Sequence, residues 1–222
     1  KIVVVSSNSP LGCNDNKNEY FDENSEYNPY MNYGKSKMLM EMFLLEKIHE
    51  GHDITIIRPP WFYGENMPDR QIQFYKMIQK GVFPIIGNGE NVRSKANVKN
   101  IVQGIILASQ KPISKGKIYW IADENSYTMN EIISTIKSVL ETEYNIKCSD
   151  RLIKLPFMVG QLAEYIDFFL QKIGVYNQKF HVLSEMNKNI ACNIDKAKEE
   201  LGYSPKLSLY EGTKLALKNV KF

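Results

Sequence analysis

The sequence has few of the residues that mark metal centres and disulfide-rich domains. It contains three cysteines, Cys13, Cys148 and Cys192, without a Cys-x-x-Cys pair, and three histidines. An odd number of widely spaced cysteines argues against a disulfide framework or a zinc knuckle and favours a reducing, cytoplasmic location. Because the histidines show no metal-ligand spacing with acidic or cysteine partners, we expect no metal site.

A strong excess of charge and long apolar runs are also missing. The 28 basic and 25 acidic residues give a formal net charge of +3. Nucleic-acid-binding proteins usually carry a basic stripe, so we expect no nucleic-acid partner. No apolar run reaches the about 20 residues that span a bilayer. The nearest candidate, residues 155–173, is interrupted by polar and charged side chains and is predicted to be an amphipathic helix, so we expect no membrane partner.

The first sixty residues predict a parallel sheet. The 222 residues allow one large domain, or one domain with a small lobe. Residues 2–5 are all β-branched, which is typical of a strand buried on both faces. A polar loop is predicted over 8–28, then a helix from Asn28 to about residue 50, and a second buried strand over 53–57. Strand, helix and strand in this order predict a right-handed crossover and an α/β fold.

Periodicity and capping residues predict further elements. Within the first helix, Met38, Met42 and Leu45 form an apolar stripe, with Leu39 and Phe43 beside it. Thr128 followed by Glu131 predicts a capping box. The remaining predictions are a strand over 117–122, a tight turn over 87–89, and helices over 70–80, 98–110, 128–141, 156–173, 195–201 and 209–220.

Tyr33 and Lys37 are the residues best placed for catalysis. They lie four positions apart on the first helix and therefore project from one face. A nearby ammonium lowers the phenol pKa from its usual value of about 10. Such a tyrosine can exchange a proton with a substrate oxygen while hydride moves at carbon. A second Tyr-x-x-x-Lys pair, Tyr210 and Lys214, lacks supporting context and is interpreted as surface residues.

The two predicted strands end in segments that support the first pair. Ser6-Ser7 ends the first strand and Arg58-Pro59-Pro60 ends the second. Open α/β sheets bind ligands at the carboxyl ends of their strands, so both segments point to the same crevice. A serine at that edge can hydrogen-bond the same substrate oxygen as Tyr33.

These segments together resemble the extended short-chain dehydrogenase/reductases, the NAD-dependent epimerase/dehydratase group. Residues 6–12 resemble the Ser-Ser-x-x-Val-Tyr-Gly segment of that family, and residues 33–37 its Tyr-x-x-x-Lys pair. Residues 58–64 resemble its Arg-Pro-x-x-x-Tyr-Gly segment, and residues 195–205 its C-terminal signature. The resemblance covers nearly the whole chain.

The resemblance implies a partial Rossmann-like parallel sheet with a small, mostly helical substrate-binding lobe. The Rossmann portion would comprise residues 1–60 and 97–122, and the lobe residues 61–96 and 123–222. It further implies catalytic roles for Ser7, Tyr33 and Lys37. Lys37 would also hold the nicotinamide ribose hydroxyls, with Tyr33 beside the cofactor and the backbone near Pro60 next to the nicotinamide.

The family's glycine-rich phosphate loop is absent, which bears on the cofactor. That loop would hold the pyrophosphate of NAD or NADP at a helix N-terminus. The chain therefore resembles the C-terminal part of such an enzyme, which by itself would bind a dinucleotide poorly. The choice between NAD and NADP stays open, because the residue that reads the adenosine ribose would lie outside this chain. A homodimer also stays open, since the family often pairs through the Tyr-x-x-x-Lys helix and a preceding helix absent here.

Two candidate substrate-binding residues favour different classes of substrate. Arg93 matches the family position that grips a nucleotide diphosphate, and guanidinium geometry suits that role. Trp61 stands where nucleotide-sugar enzymes often carry Asn, and an aromatic residue there is closer to hydroxysteroid dehydrogenases and flavonoid reductases. The sequence also has Lys95 and Asn97 where the family often has an aromatic residue and a His or Tyr.

The resemblance leaves three functions to compare. The first is an epimerase, dehydratase or reductase of a nucleotide sugar. Asn8 and Ser9 lack the acid/base pair that dehydratases add after the serine, which favours epimerase or reductase. The second is a reductase or dehydrogenase of an apolar hydroxyl compound of hydroxysteroid or flavonoid type. The third is a non-catalytic truncated homologue.

Overall fold

The computed structural model describes residues 1–14 and 18–222. Its strands are β1 (Ile2–Val5), β2 (Ile54–Arg58), β3 (Trp61–Tyr63), β4 (Pro84–Ile86), β5 (Val92–Asn97), β6 (Ile118–Trp120), β7 (Ser126–Thr128) and β8 (Ile153–Leu155). Its α-helices are α1 (Met31–His49), α2 (Asp69–Gln79), α3 (Val98–Gln110), α4 (Met129–Tyr144), α5 (Phe157–Lys172), α6 (Gln178–Glu185) and α7 (Leu209–Leu217). A short 3-10 turn (Pro112–Ser114) and a π-helical turn (Ala197–Leu201) complete the set.

The predicted α/β class is confirmed by a parallel sheet in the order β1-β2-β6. The crossover from β1 to β2 runs through α1, as the strand-helix-strand pattern predicts. Two further sheets follow, the three-stranded β3-β5-β7 and the parallel pair β4-β8. No helix in the described residues combines the length and apolar character needed to cross a bilayer.

The two predicted strands of the parallel sheet differ in burial. All five residues of β2 are buried, because β2 lies between β1 and β6. β1 lies at the edge of the described sheet, and Ile2 and Val5 are about half exposed. The prediction of a strand buried on both faces is therefore confirmed for β2 and wrong for β1.

Two hydrophobic clusters support these sheets. One lies around β2 and β6 and includes Ile57, Tyr119 and Trp120. The other lies around α2 and α4 and includes Tyr75, Ile136 and other large aliphatic side chains. Residues 197–203 of the C-terminal region pack in the first cluster. The division into a Rossmann portion and a substrate-binding lobe stays a prediction.

Helix α1 begins later than its sequence predicts. Asn28 and Pro29 are not its cap and first turn; the helix starts at Met31, preceded by Tyr30 without a side-chain cap. The reason is tertiary: the Asn28 N–H donates to the Pro10 carbonyl and the Tyr30 N–H to the Ser9 carbonyl, which holds this segment outside the helix. The predicted loop over 8–28 precedes it; residues 15–17 of that loop lie outside the described residues.

The face of α1 that packs inward is polar at its centre. Glu41 and Gly34 are its buried residues, whereas Met42 and Phe43 of the predicted apolar face are about half exposed. Glu41 is fully buried against Arg58 of β2, with 2.6 Å between Arg58 Nη2 and Glu41 Oε2. Tyr27 donates a hydrogen bond of 2.8 Å to the same carboxylate. This ion pair fixes the orientation of α1, since turning the helix would leave Arg58 buried and unpaired.

Candidate functional site

The serine loop after β1 is tied to the start of α1. We use this name for residues Ser6–Gly12. Ser7 is partly buried, and its hydroxyl lies 3.1 Å from that of Ser9 and accepts a hydrogen bond from the Ser9 N–H. The Ser9 carbonyl in turn accepts the Tyr30 N–H at 3.3 Å. The loop that carries Ser7 is thereby held against the turn that precedes Tyr33.

Gly34 lets these two segments approach each other. A Cβ atom built on Gly34 would lie 2.5 Å from the Ser9 carbonyl oxygen, a distance that real Cβ atoms do not adopt. Because the opposing atom belongs to the backbone, a larger residue would push α1 and the serine loop apart. Glycine is therefore required at position 34 by the close contact between α1 and the serine loop, and not by the geometry of the helix itself.

Tyr33 and Lys37 lie one turn apart on the outward side of α1. Tyr33 is 52% exposed and Lys37 is partly buried. Among the described residues, the Lys37 ammonium has no hydrogen-bond or ion-pair partner. An unpaired ammonium and an accessible phenol on one helix face fit the nicotinamide-ribose end of a dinucleotide. Pro60 is buried between β2 and β3, and its backbone is the part predicted to lie next to the nicotinamide.

A cavity of about 130 Å³ opens beside the Tyr33 ring. Its walls come from α1, from the end of α5, from the segment after α5 and from α6: Asn32, Tyr33, Gln171, Gly174, Val175, Tyr176 and His181. His181 is held there by a contact of 2.8 Å between its Nδ1 and Oδ2 of the fully buried Asp167. Gln171 donates to the same oxygen. This imidazole was not predicted, because α6 has no strong sequence signal and its partner lies on another helix.

Trp61 and Arg93 come together on neighbouring strands. β3 pairs with β5, so that Trp61 is opposite Lys95, and the Arg93 guanidinium lies 5.5 Å from the Trp61 ring centre. Arg93 is buried, donates to the Glu185 carbonyl on α6, and leaves its Nε unpaired among the described residues. Burial lowers the pKa of its guanidinium.

Lys95 is a second buried cation in this cluster. Its ammonium lies 3.8 Å from the centre of the Trp61 ring and 5.3 Å from that of Tyr63. Burial, and secondly the charge of Arg93, lower the pKa of Lys95 to about 7, while Asp123 acts in the opposite direction. A lysine that is only partly protonated near neutral pH can accept or donate a proton. The sequence showed Lys95 only as a departure from the family pattern.

Helix α6 contacts both the segment that leads into Tyr33 and the strand that carries Arg93. The Tyr30 hydroxyl, next to the first turn of α1, donates a hydrogen bond of 2.6 Å to Ser184. One residue further along α6, the Glu185 carbonyl accepts the hydrogen bond from Arg93. The serine loop and Tyr33 thus form one group, Trp61, Arg93 and Lys95 form another, and α6 contacts both.

The chain is similar to a family of known proteins over almost its whole length. The family model for GDP-mannose 4,6-dehydratase matches residues 1–216. An uncharacterized protein, y4nL, of Sinorhizobium fredii is 49% identical over 214 residues, which are 96% of this chain and 60% of that protein. An N-acetyl-alpha-D-glucosaminyl-diphospho-ditrans,octacis-undecaprenol 4-epimerase of Escherichia coli O157:H7 is 30% identical over 175 residues, 78% of this chain and 50% of that enzyme.

The fold is similar to that of solved structures. A dTDP-glucose 4,6-dehydratase of Bacillus anthracis, solved with NAD, superposes with a TM-score of 0.72 at 20% identity, covering 98% of this chain and 60% of that one. The chain thus spans about half to three fifths of the length of the relatives that it matches. The match of the family model over residues 1–216 shows that this chain belongs to the GDP-mannose 4,6-dehydratase family, within the NAD-dependent epimerase/dehydratase group.

Proposed function

We propose that the protein containing this chain is an NAD(P)-dependent epimerase or reductase that acts on a sugar linked to a diphosphate, with a nucleotide sugar as the first candidate. The observation that carries this proposal is the contact between the serine loop and the first turn of α1, made possible by Gly34. That contact supports the assignment of Ser7 and Tyr33 to one substrate oxygen.

In the proposed reaction, Tyr33 exchanges a proton with a sugar hydroxyl while Ser7 donates a hydrogen bond to the same oxygen. Lys37 lies one turn further along the same face of α1, where its ammonium is proposed to hold the nicotinamide ribose hydroxyls. The nicotinamide supplies the hydride chemistry at the carbon that bears this oxygen. Tyr33, Lys37 and Pro60 would hold only its ribose end, so the remaining binding energy would come from outside this chain.

Arg93 is proposed to bind the diphosphate of the substrate. Its guanidinium is buried beneath Trp61 and donates to the Glu185 carbonyl, so α6 has to move before a diphosphate can reach it. The unpaired Nε provides one donor for the incoming phosphate oxygen. Trp61 packs on Phe74 and against Lys95. These contacts support a packing role for Trp61 and give less support to a steroid or flavonoid substrate.

A second candidate substrate is a sugar diphosphate carried on a polyprenol. The Escherichia coli relative is by name an epimerase of a substrate of this class. The observation in this chain that favours it is the large apolar surface of α5, where Met158, Leu162 and Tyr165 are each more than 60% exposed. A polyprenyl substrate would retain the sugar diphosphate that Tyr33 and Arg93 are proposed to bind and would replace the nucleoside with a lipid.

The test compares two matched tyrosine variants in the full-length protein. Tyr33→Phe should lower NAD(P)-dependent turnover of nucleotide hexoses by about 100-fold or more, since general acid–base groups contribute that amount. Tyr210→Phe, in the second Tyr-x-x-x-Lys pair, should leave turnover unchanged. Binding of NAD(P) by both variants, measured by calorimetry, shows that the fold is intact. Turnover that is retained by Tyr33→Phe would contradict the catalytic assignment and favour a non-catalytic homologue.

A further inference from the structure

Helix α5 shows the reverse of the usual burial pattern. Its buried residues are Gly160, Ala163 and Asp167, two small and one charged. Val159, Ile166 and Leu170 are partly buried. Nine other large apolar side chains of the helix and of the four residues that follow Lys172 point to solvent and are each 47–74% exposed: Phe157, Met158, Leu162, Tyr165, Phe168, Phe169, Ile173, Val175 and Tyr176. The apolar residues scattered over ordinary surfaces need no explanation, but a contiguous surface of this kind marks a binding face. We call this surface the α5 face.

The orientation of α5 is fixed by specific polar contacts. Asp167 is fully buried and contacts His181 of α6 at 2.8 Å. Gly160 lies so close to α6 and the residues after it that an added Cβ would be 3.0 Å from the Asn187 side chain. Turning the helix to bury its large side chains would expose these small residues and break the Asp167 contacts. These contacts hold the opposite side of α5 against the protein. The α5 face is therefore left exposed to solvent.

The exposed charges within residues 157–179, the segment that carries the α5 face, are of one sign. Between residues 157 and 179 the exposed charged side chains are Lys172 and Lys179. The two carboxylates of this segment are not free, because Asp167 is buried and Glu164 pairs with Lys188 at 2.7 Å. Exposed aromatic and aliphatic side chains with lysines, and without free carboxylates, complement an anionic lipid surface.

The α5 face continues into the cavity at Tyr33. Gly174, Val175 and Tyr176 line that cavity, and Val175 and Tyr176 also belong to the α5 face. A group that is anchored in a bilayer beneath the α5 face would therefore lie close to the cavity.

We propose that the α5 face docks on the surface of an anionic phospholipid bilayer and places the Tyr33 cavity next to a lipid-linked sugar diphosphate. The lipid-linked substrate rests on the second candidate under the proposed function, whereas the docking itself does not. No helix in the part of the chain that the structure describes is long and apolar enough to span a bilayer, but a helix that lies in the interface needs only one apolar face. The expectation from sequence of no membrane partner is replaced by this proposal.

The test is flotation of the full-length protein with vesicles of 70% phosphatidylcholine and 30% phosphatidylglycerol. The wild type should float with these vesicles, and less with pure phosphatidylcholine or in high salt. The double variant Leu162→Ser with Phe169→Ser should bind about tenfold or more weakly, because two apolar side chains leave the interface. The matched control, Ile113→Ser with Leu152→Ser, removes two half-exposed side chains elsewhere and should bind like the wild type.

Three results would overturn the proposal. Wild-type protein that stays with the soluble fraction at every composition shows that the α5 face does not bind lipid. Equal flotation of both double variants shows that binding uses another surface. A wild-type dimer that becomes a monomer only in the α5 variant, without flotation, assigns the face to a second copy of the chain.

The docking and the catalytic proposal fail separately. Tyr33→Phe should float like the wild type even though it loses turnover, because Tyr33 lies outside the α5 face. The α5 double variant should keep its turnover of soluble nucleotide hexoses and lose turnover of a polyprenyl-diphosphate sugar presented in vesicles. Flotation without any turnover would contradict the proposed function alone, and turnover without flotation would contradict the docking alone.

Discussion

Helices α4 and α5 have the same length but opposite relations to the interior. Each has 16 residues. α4 buries six apolar side chains, among them Ile136 and Leu140, whereas α5 buries Gly160, Ala163 and Asp167. Both sequences contain enough apolar residues for an amphipathic helix. Amphipathic periodicity therefore identifies a helix and its two faces, but it does not decide which face is buried.

The neighbours of the two helices explain the difference. α4 packs between α2 and α7, which present apolar side chains to it. α5 packs mainly on α6, where Asp167 of α5 contacts His181 of α6 at 2.8 Å. Small residues on α5 allow this close approach, while large residues on its other side, such as Leu162 and Tyr165, are more than 60% exposed. Helix α4 is held in place by hydrophobic burial, whereas α5 is held by close packing and by the hydrogen bond between Asp167 and His181.

The largest expected effect comes from the same substitution made in both helices. Leu140→Ala should lower the free energy of unfolding by about 2–5 kcal/mol, because Leu140 is fully buried and its removal leaves a cavity. Leu162→Ala should change it by no more than about 0.5 kcal/mol, because Leu162 is 63% exposed. Urea unfolding of both variants measures the difference. Equal losses would mean that the α5 face is covered in solution.

A smaller effect is expected from the buried carboxylate of α5. Asp167→Ala should cost about 1–3 kcal/mol, because the partly buried side chains of His181 and Gln171 lose their hydrogen-bond partner. Hydrogen exchange should then increase in α5 and α6 and stay unchanged in α4. The matched control on the same helix is Glu164→Ala, whose partly exposed pair with Lys188 contributes at most about 1 kcal/mol. An unchanged exchange rate in α6 after Asp167→Ala would show that another contact holds α5.

The elements with local signals were predicted well. The prediction of a helix over 98–110 matches α3, and the capping box of Thr128 and Glu131 is present in the structure. Each depends on residues that are close in sequence. The three-residue strands β3, β4, β7 and β8 were missed, because such short segments carry too little alternation to be recognised. The six-residue strand β5 was missed as well, because Val92 and Ala96 are its only apolar residues.

The features that depend on distant contacts could not be predicted. The start of α1 is set by backbone hydrogen bonds to the serine loop, and α6 is held by partners such as Tyr30, 154 residues before Ser184. For the same reason, the sequence provided Ser7, Tyr33 and Lys37 as candidates but not His181 beside the cavity. Their roles in catalysis stay predictions, whereas the contact between the serine loop and α1 is a property of the structure.

The smallest expected effect concerns the first turns of α4 and α5. Thr128 caps α4 through the Glu131 N–H, whereas α5 follows Pro156 without a side-chain cap. Thr128→Ala should cost about 1 kcal/mol in urea unfolding, because a backbone donor loses its acceptor. Thr128→Ser keeps the hydroxyl and should recover most of that loss, whereas Pro156→Ala removes no cap and should change stability by less. If Thr128→Ala and Pro156→Ala cost the same, the cap does not distinguish the helices, and their difference lies wholly in the faces that they bury.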